Sequence, residues 1–160
     1  MDRSRERGLT LLELLITMLV IAMVAAVTYP ALSRGSKTLH LRAASRDVLR
    51  IFRYAREKAV TEQIGMRITV DRQKQELILS DSLGDDSRRY TLPRDVKIQR
   101  MALAGMEIPE DLLIIRFLPN GSSDSAELLL QSESGSTLRI IADPITGGAR
   151  IRSGSRDDLP

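Results

Sequence analysis

Any chemistry in this chain would have to come from few residues. The sequence has 160 residues, a single histidine, His40, and no cysteine. Without a thiol there is neither a disulfide framework nor a thiol nucleophile, and the redox compartment cannot be read from the sequence. His40 falls in a polar linker or early helix and reads as a surface or packing histidine rather than a general base. Ser122, Ser123 and Asp124 follow an Asn120-Gly121 turn, and with no histidine close in sequence they read as loop solubilisers. Asp81, Asp85 and Asp86 are grouped, but their spacing misses the Asp-x-Asp-x-Asp-Gly calcium loop and lacks its closing Glu, so a solvated hairpin loop is the reading. No glycine-rich phosphate loop follows a strand. The expectation is therefore no catalytic residue, no metal site and no cofactor. Glu13 remains, the only charge between residues 9 and 27. A carboxylate near the centre of an inserted apolar helix costs on the order of 3 kcal/mol, so an ionisable residue placed there is a functional hypothesis by default.

The element that holds Glu13 is the apolar run 9–27. As a helix at ~1.5 Å per residue it spans roughly 28 Å, close to the thickness of a bilayer's hydrocarbon. Ahead of it lies a polar leader, with Arg3, Arg5 and Arg7 set against Asp2 and Glu6, ending at Gly8. Its arginines favour the cytoplasmic side and send the rest outward. The residues alone admit an ordinary secretory signal cut near Ala26, an uncleaved anchor, or a chain cut at the end of its leader. Net charge is +3, and removing the leader leaves about +2 by the same formal count (3 − 1). That is too little to argue for nucleic acid from bulk charge. There is no Trp and there are two Phe, so stacking platforms for bases or sugars are scarce.

Past Pro30 the helical pattern resumes, with a weak point at Ser33-Arg34-Gly35-Ser36. Leu41, Ala44, Val48, Phe52, Ala55 and Ala59 recur in steps of three and four, which predicts an amphipathic helix to about Glu62 with Gly65 as its stop. Strands are predicted at 66–70, 76–79, 89–92, 96–98, 112–118, 127–131, 138–142 and 149–152. Residues 71–74 read as a hairpin connection, Pro93 as a breaker and Pro119-Asn120-Gly121 as a strong turn. Residues 101–111, with Gly105 and Pro109, read as a surface loop or an irregular crossover. The fold class is α+β: a long N-terminal helix packed on an antiparallel β domain. The expected organisation is a leader at 1–8, a membrane or filament-core helix at 9–30, its amphipathic continuation at 31–64 and an exported β domain at 65–160.

Gly8-Leu9-Thr10-Leu11-Leu12-Glu13, with its basic leader and apolar continuation, resembles the N-terminal signal of type IV prepilins and type II secretion pseudopilins. The resemblance implies cleavage after Gly8, methylation of the new N-terminus Leu9, and an assembly role for Glu13 as fifth mature residue. The family's usual first residue is Phe, where this chain has Leu9. Pro30 matches a helix-kinking proline of many members. Physical chemistry gives a reason for the carboxylate. Cleavage would leave a cationic amine on Leu9 in apolar surroundings, and a carboxylate four residues on could neutralise it, in its own chain or in a staggered neighbour. Further on, Ala55-Arg56-Glu57-Lys58-Ala59 leading into Met66-Arg67-Ile68-Thr69-Val70 resembles the H-type minor pseudopilins and FimT-type minor pilins. So do Phe117-Leu118-Pro119-Asn120-Gly121 and Thr146-Gly147 with Arg150, although Gly148-Ala149 replace the more usual spacing.

Two sets of arginines stand out. Arg42, Arg46, Arg50, Arg53 and Arg56 read as a solvated helix face, paired in part with Asp47 and Glu57. Arg150, Arg152 and Arg156 form a basic C-terminal tail, and by resemblance to FimT-type pilins they are candidate DNA or phosphate contacts. Asp157 and Asp158 dilute that tail and no aromatic residue stands beside it, so nucleic acid is the weaker reading.

The resemblance implies a structural subunit rather than an enzyme: an H-type minor pseudopilin in the periplasmic pseudopilus of a type II secretion system, helping to push folded substrates through the outer membrane. The alternative it implies is a FimT-like minor pilin acting in type IV pilus assembly or DNA uptake. A membrane-tethered enzyme is the third reading, disfavoured by the missing constellation. The implied partners are other pseudopilins or pilins of the filament, the prepilin peptidase/methyltransferase and the inner-membrane assembly platform. The implied location is the bacterial inner membrane, single-pass, with the C-terminal domain in the periplasm.

Overall fold

The computed structural model describes residues 11–82, 84 and 87–153, with side chains at all of these except 27 and 29–36. The chain forms two compact units, Met1–Ser36 and Lys37–Pro160. Helix α1, Leu11–Glu62, contributes to both and stays helical through Pro30 and the Ser33-Arg34-Gly35-Ser36 segment.

In the first unit, the large apolar side chains from residue 11 to 24 are 51–82% exposed. In the second unit the helix is amphipathic. Leu41, Ala44, Val48, Ile51, Phe52, Ala55 and Ala59 are buried on one face, the steps of three and four that a 3.6-residue period requires. Arg42, Arg46, Arg50, Arg53 and Arg56 are exposed, and Arg50 pairs with Asp47 at 2.9 Å. Burial of a large apolar side chain contributes about 1.5–3 kcal/mol, so this stripe is what ties the helix to the sheets.

The helix ends at Glu62, where the periodicity placed its end, and a turn leads from it to Gly65. Gln63 takes the left-handed turn at φ 55, and its side-chain amide donates to the Val60 carbonyl at 2.7 Å. That hydrogen bond satisfies one of the carbonyls a helix end leaves open, which is how a residue other than glycine serves here.

Among the described residues, nine strands form two antiparallel sheets. The first, in the order β3-β2-β1-β6, holds β1 (Met66–Asp71), β2 (Glu76–Asp81), β3 (Ser87–Thr91) and β6 (Leu112–Phe117). The second, in the order β5-β4-β7-β8-β9, holds β4 (Val96–Leu103), β5 (Met106–Glu107), β7 (Ala126–Ser132), β8 (Thr137–Ala142) and β9 (Ala149–Ser153). Alternation sets the faces: Met66, Ile68 and Val70 of β1 and Leu113, Ile115 and Phe117 of β6 are buried. Phe52 meets the edge of the Phe117 ring with centroids 5.8 Å apart, joining helix to first sheet. Leu128, Leu130 and Ile140 bring the second sheet into the same core.

Residues 101–111 are neither loop nor crossover at their start. β4 runs on to Leu103, and Ala104 and Gly105, both with positive φ, turn it back into β5. Two successive positive φ values make the tight hairpin turn whose twist matches the strands, usually announced by Asn-Gly or Asp-Gly. The Ala-Gly pair gave no such announcement.

Candidate functional site

In the first unit the described apolar turns carry Glu13 and two hydroxyl groups. Thr17 Oγ1 donates to the Leu14 carbonyl at 2.9 Å, and Thr28 Oγ1 to the Val24 carbonyl at 2.8 Å. Both hydroxyls are thus satisfied by their own helix, as a segment surrounded by apolar material requires. An apolar surface of this extent on a helix marks a lipid or protein contact. No helix among the described residues is long and apolar enough to cross a membrane. Gly8 and Leu9, the expected cleavage and methylation positions, lie outside the described residues, as does Thr10.

In the second unit, two loops far apart in sequence converge on Arg56 of the helix. The turn after β6 is closed by the Gly121 N–H donating to the Leu118 carbonyl at 2.9 Å, and Asn120 Oδ1 accepts from the Ser122 N–H at 3.0 Å. The Gly121 carbonyl in turn accepts from Arg56 Nε at 3.3 Å. The β8–β9 loop supplies Gly147, at φ +61. A Cβ there would fall 2.2 Å from the Gly121 carbonyl oxygen and 3.0 Å from Arg56 Cδ. Only glycine allows that approach. Asp143 shapes the loop: its Oδ1 accepts from the Thr146 N–H at 2.9 Å and the Ile145 N–H at 3.0 Å. The Thr146 amide, foremost, holds the Asp143 carboxyl below the ordinary carboxylate range, against the opposing effect of burial.

Ser123 completes the junction and is no loop solubiliser. It is buried, its Oγ donates to the Asp143 carbonyl at 3.2 Å, and its N–H donates to the Pro144 carbonyl at 3.2 Å. Asp124 pairs with Arg116 through contacts of 2.9 and 3.2 Å. Sequence reasoning found all three motifs around Arg56 but not that they touch, because spacings of tens of residues carry no distance.

His40 lies near the start of the helical part of this unit, with Nδ1 2.6 Å from Asp95 Oδ2. Lys37 Nζ reaches Glu133 Oε2 at 2.9 Å, and the Glu133 N–H donates to the Asp95 carbonyl at 3.0 Å. The hydrogen bond to Glu133 raises the Lys37 pKa. The four side chains tie the helix to the ends of β4 and β7. Among the described residues there is no cluster of three or more metal-ligating side chains; Asp85 and Asp86 lie outside them.

Arg150 and Arg152 are exposed on β9, and Arg156 lies outside the described residues. Arg152 stands opposite Arg139, which is 3.7 Å from Glu127. Across that sheet face, Leu129 lies in register between Arg100 and Arg139 and is buried.

The prokaryotic N-terminal methylation motif matches residues 3–29. Type II secretion system protein H of Xanthomonas campestris pv. campestris is 25% identical over 152 residues, covering 95% of this chain and 85% of that protein. The minor pseudopilin EpsH from the type II secretion system of Vibrio cholerae superposes with a TM-score of 0.59 at 12% identity, over 74% of this chain and 97% of that one. The type IV minor pilin FimU of Pseudomonas aeruginosa gives a TM-score of 0.52 at 14% identity, over 78% and 96%. The chain has a pilin-like α+β fold and carries the prokaryotic N-terminal methylation motif. Its fold is similar to that of the minor pseudopilin EpsH and of the type IV minor pilin FimU.

Proposed function

We propose that this chain is an H-type minor pseudopilin, a structural subunit of the periplasmic filament of a type II secretion system. The observation that carries the reading is the apolar face of α1 from residue 11 to 26, exposed in the single chain and carrying one carboxylate, Glu13. Such a face is covered first by lipid and then by the same helices of neighbouring subunits. Filament growth moves the helix between those two apolar surroundings, and a lone carboxylate needs a cationic partner in both. The amine that cleavage after Gly8 leaves on Leu9 is that partner. The relative that aligns over nearly the whole chain is a secretion protein H, which favours the secretion filament over a type IV pilus.

On this reading the protein works mechanically. A prepilin peptidase/methyltransferase trims and methylates the N-terminus, and the inner-membrane assembly platform draws the helix out of the bilayer. The added subunit then extends a filament of pseudopilins that pushes folded substrates toward the outer-membrane channel. The anchor is single-pass, with residues 65–160 in the periplasm and residues 31–64 continuing the helix of residues 9–30.

Two variants test it. With a prepilin peptidase co-expressed, intact-mass analysis is expected to show loss of residues 1–8 and one added methyl, and Gly8→Ala blocks or slows that loss. An intact N-terminus, or a cut near Ala26, removes the reading. Glu13→Ala is expected to insert into the membrane and still fail to enter filaments; secretion or piliation at the unmutated level refutes the pairing role.

A further inference from the structure

We infer that the free edge of β9, together with the arginines of α1 beside it, is a docking site for an extended acidic segment of a different protein subunit. β9 is the last strand of its sheet among the described residues, pairing with β8 alone. The Asp143 N–H donates to the Gly148 carbonyl at 2.8 Å. In an antiparallel ladder the hydrogen-bonded pairs recur at every second residue. Arg150 and Arg152 therefore direct their backbone groups to β8, while those of Ala149, Ile151 and Ser153 point away from it. An added strand would find unpaired donors and acceptors along that row.

The surroundings are basic and concave. An open cleft of about 520 Å³ lies between α1 and the start of β9, with Arg53, Arg56, Gly148 and Ala149 in its wall and Glu57 as its one acid. Among the described residues the Arg53 and Arg152 guanidinium groups make no ion pair, and the Arg150 guanidinium acts on Asp143 only through its charge. Arg56 commits its Nε to the Gly121 carbonyl. Arg53 and Arg56 thus face Glu57 in the cleft on the Ala149 side of β9, while Arg150 and Arg152 are exposed on the other face of the strand, where the Arg150 charge also acts on Asp143.

The charge also selects the occupant. A second copy adding antiparallel through its own β9 would set arginines opposite arginines, and like charges directly opposed destabilise a strand pair. The charge that keeps copies apart attracts a strand with alternating Asp or Glu. That the partner is a fellow filament subunit rests on the function proposed above; the edge and its charge do not.

The test uses the full chain in detergent micelles and a fluorescent peptide of alternating glutamate and valine. Binding is expected to slow hydrogen exchange at the amides of Ala149, Ile151 and Ser153. The double variant Arg150→Glu, Arg152→Glu is expected to weaken binding by at least roughly tenfold. Ser153→Pro removes one outward N–H, leaves the β8 pairing intact, and is expected to weaken binding by roughly tenfold with melting unchanged. Binding without amide protection, or equal binding of a lysine–valine peptide, overturns the proposal. So does stronger binding of a single-stranded oligothymidylate of equal charge, which would make the face a nucleic-acid surface. Amide protection that grows with protein concentration in the absence of peptide would assign the edge to a second copy and also overturn it. Failure of the peptide alongside normal leader removal and Glu13-dependent assembly removes this surface alone. An uncut leader removes the filament subunit as partner.

Discussion

Gly147→Ala tests the junction at Arg56 quantitatively. Two costs act together there. A side chain at φ +61 sits in the left-handed region, at about 1 kcal/mol. The new methyl would also fall 2.2 Å from the Gly121 carbonyl oxygen, well inside van der Waals contact, so one of the two loops must shift. Overpacking of that kind costs about 1–3 kcal/mol, giving a total of about 2–4 kcal/mol. Gly135 supplies the control. Its φ is +86, and a Cβ there has nothing within 4 Å. Gly135→Ala therefore isolates the backbone cost, about 1 kcal/mol. In a domain of this size each kcal/mol lowers the melting temperature by roughly 4 °C, so the expected losses are roughly 8–16 °C and roughly 4 °C. Thermal unfolding followed by far-ultraviolet circular dichroism on the full chain in micelles reads both. Equal losses for the two variants would refute the close approach of the two loops, whatever their common size.

Phe52→Ala removes a fully buried ring that meets Phe117 edge-on and is expected to cost about 3–5 kcal/mol in denaturant unfolding, with Phe52→Leu losing clearly less. Acid is expected to lower the melting temperature through two turns. Backbone amides, Lys74 for Asp71 and Thr146 for Asp143, hold both carboxyls below their ordinary range in the folded chain. Depressed folded values mean that the stabilisation is complete above the unfolded pKa near ~3.9 and is lost as pH falls through the lower folded values. Asp143→Asn should flatten the pH dependence below about pH 4; an unchanged slope would exclude this turn as a source.

Much of the architecture was legible because burial writes a period into the chain. Residues 41, 44, 48, 52, 55 and 59 proclaim one helical face, and the β1–β2 hairpin and the Pro119-Asn120-Gly121 turn carry ordinary turn chemistry. Where local chemistry is generic, the signal fails. Ala104 adopts a positive φ that its type does not advertise, so the β4–β5 hairpin was hidden. The end of the helix near Glu62 was legible from the periodicity, but the side-chain hydrogen bond by which Gln63 caps it follows from no spacing rule. Ser123 looked like a solvated loop residue because its partners, the carbonyls of Asp143 and Pro144, are tens of residues away. At the candidate site, Glu13 is conspicuous from the sequence because a charge in an apolar run is costly. The open edge of β9 is not, since whether a strand lies at an edge is decided by pairing order rather than by its own residues.

Arg56 and Gly147 are 91 positions apart (147 − 56), and their meeting closes the domain. Polypeptide synthesised or threaded from its N-terminus presents the helix early and the matching loop almost last. Until residue 147 emerges, the helix has only part of its seat, and the closing contact must also overcome the entropy of a long intervening loop. The chain thus stays pliable until nearly all of it has emerged, and a premature stop before residue 147 would leave a helix with no latch.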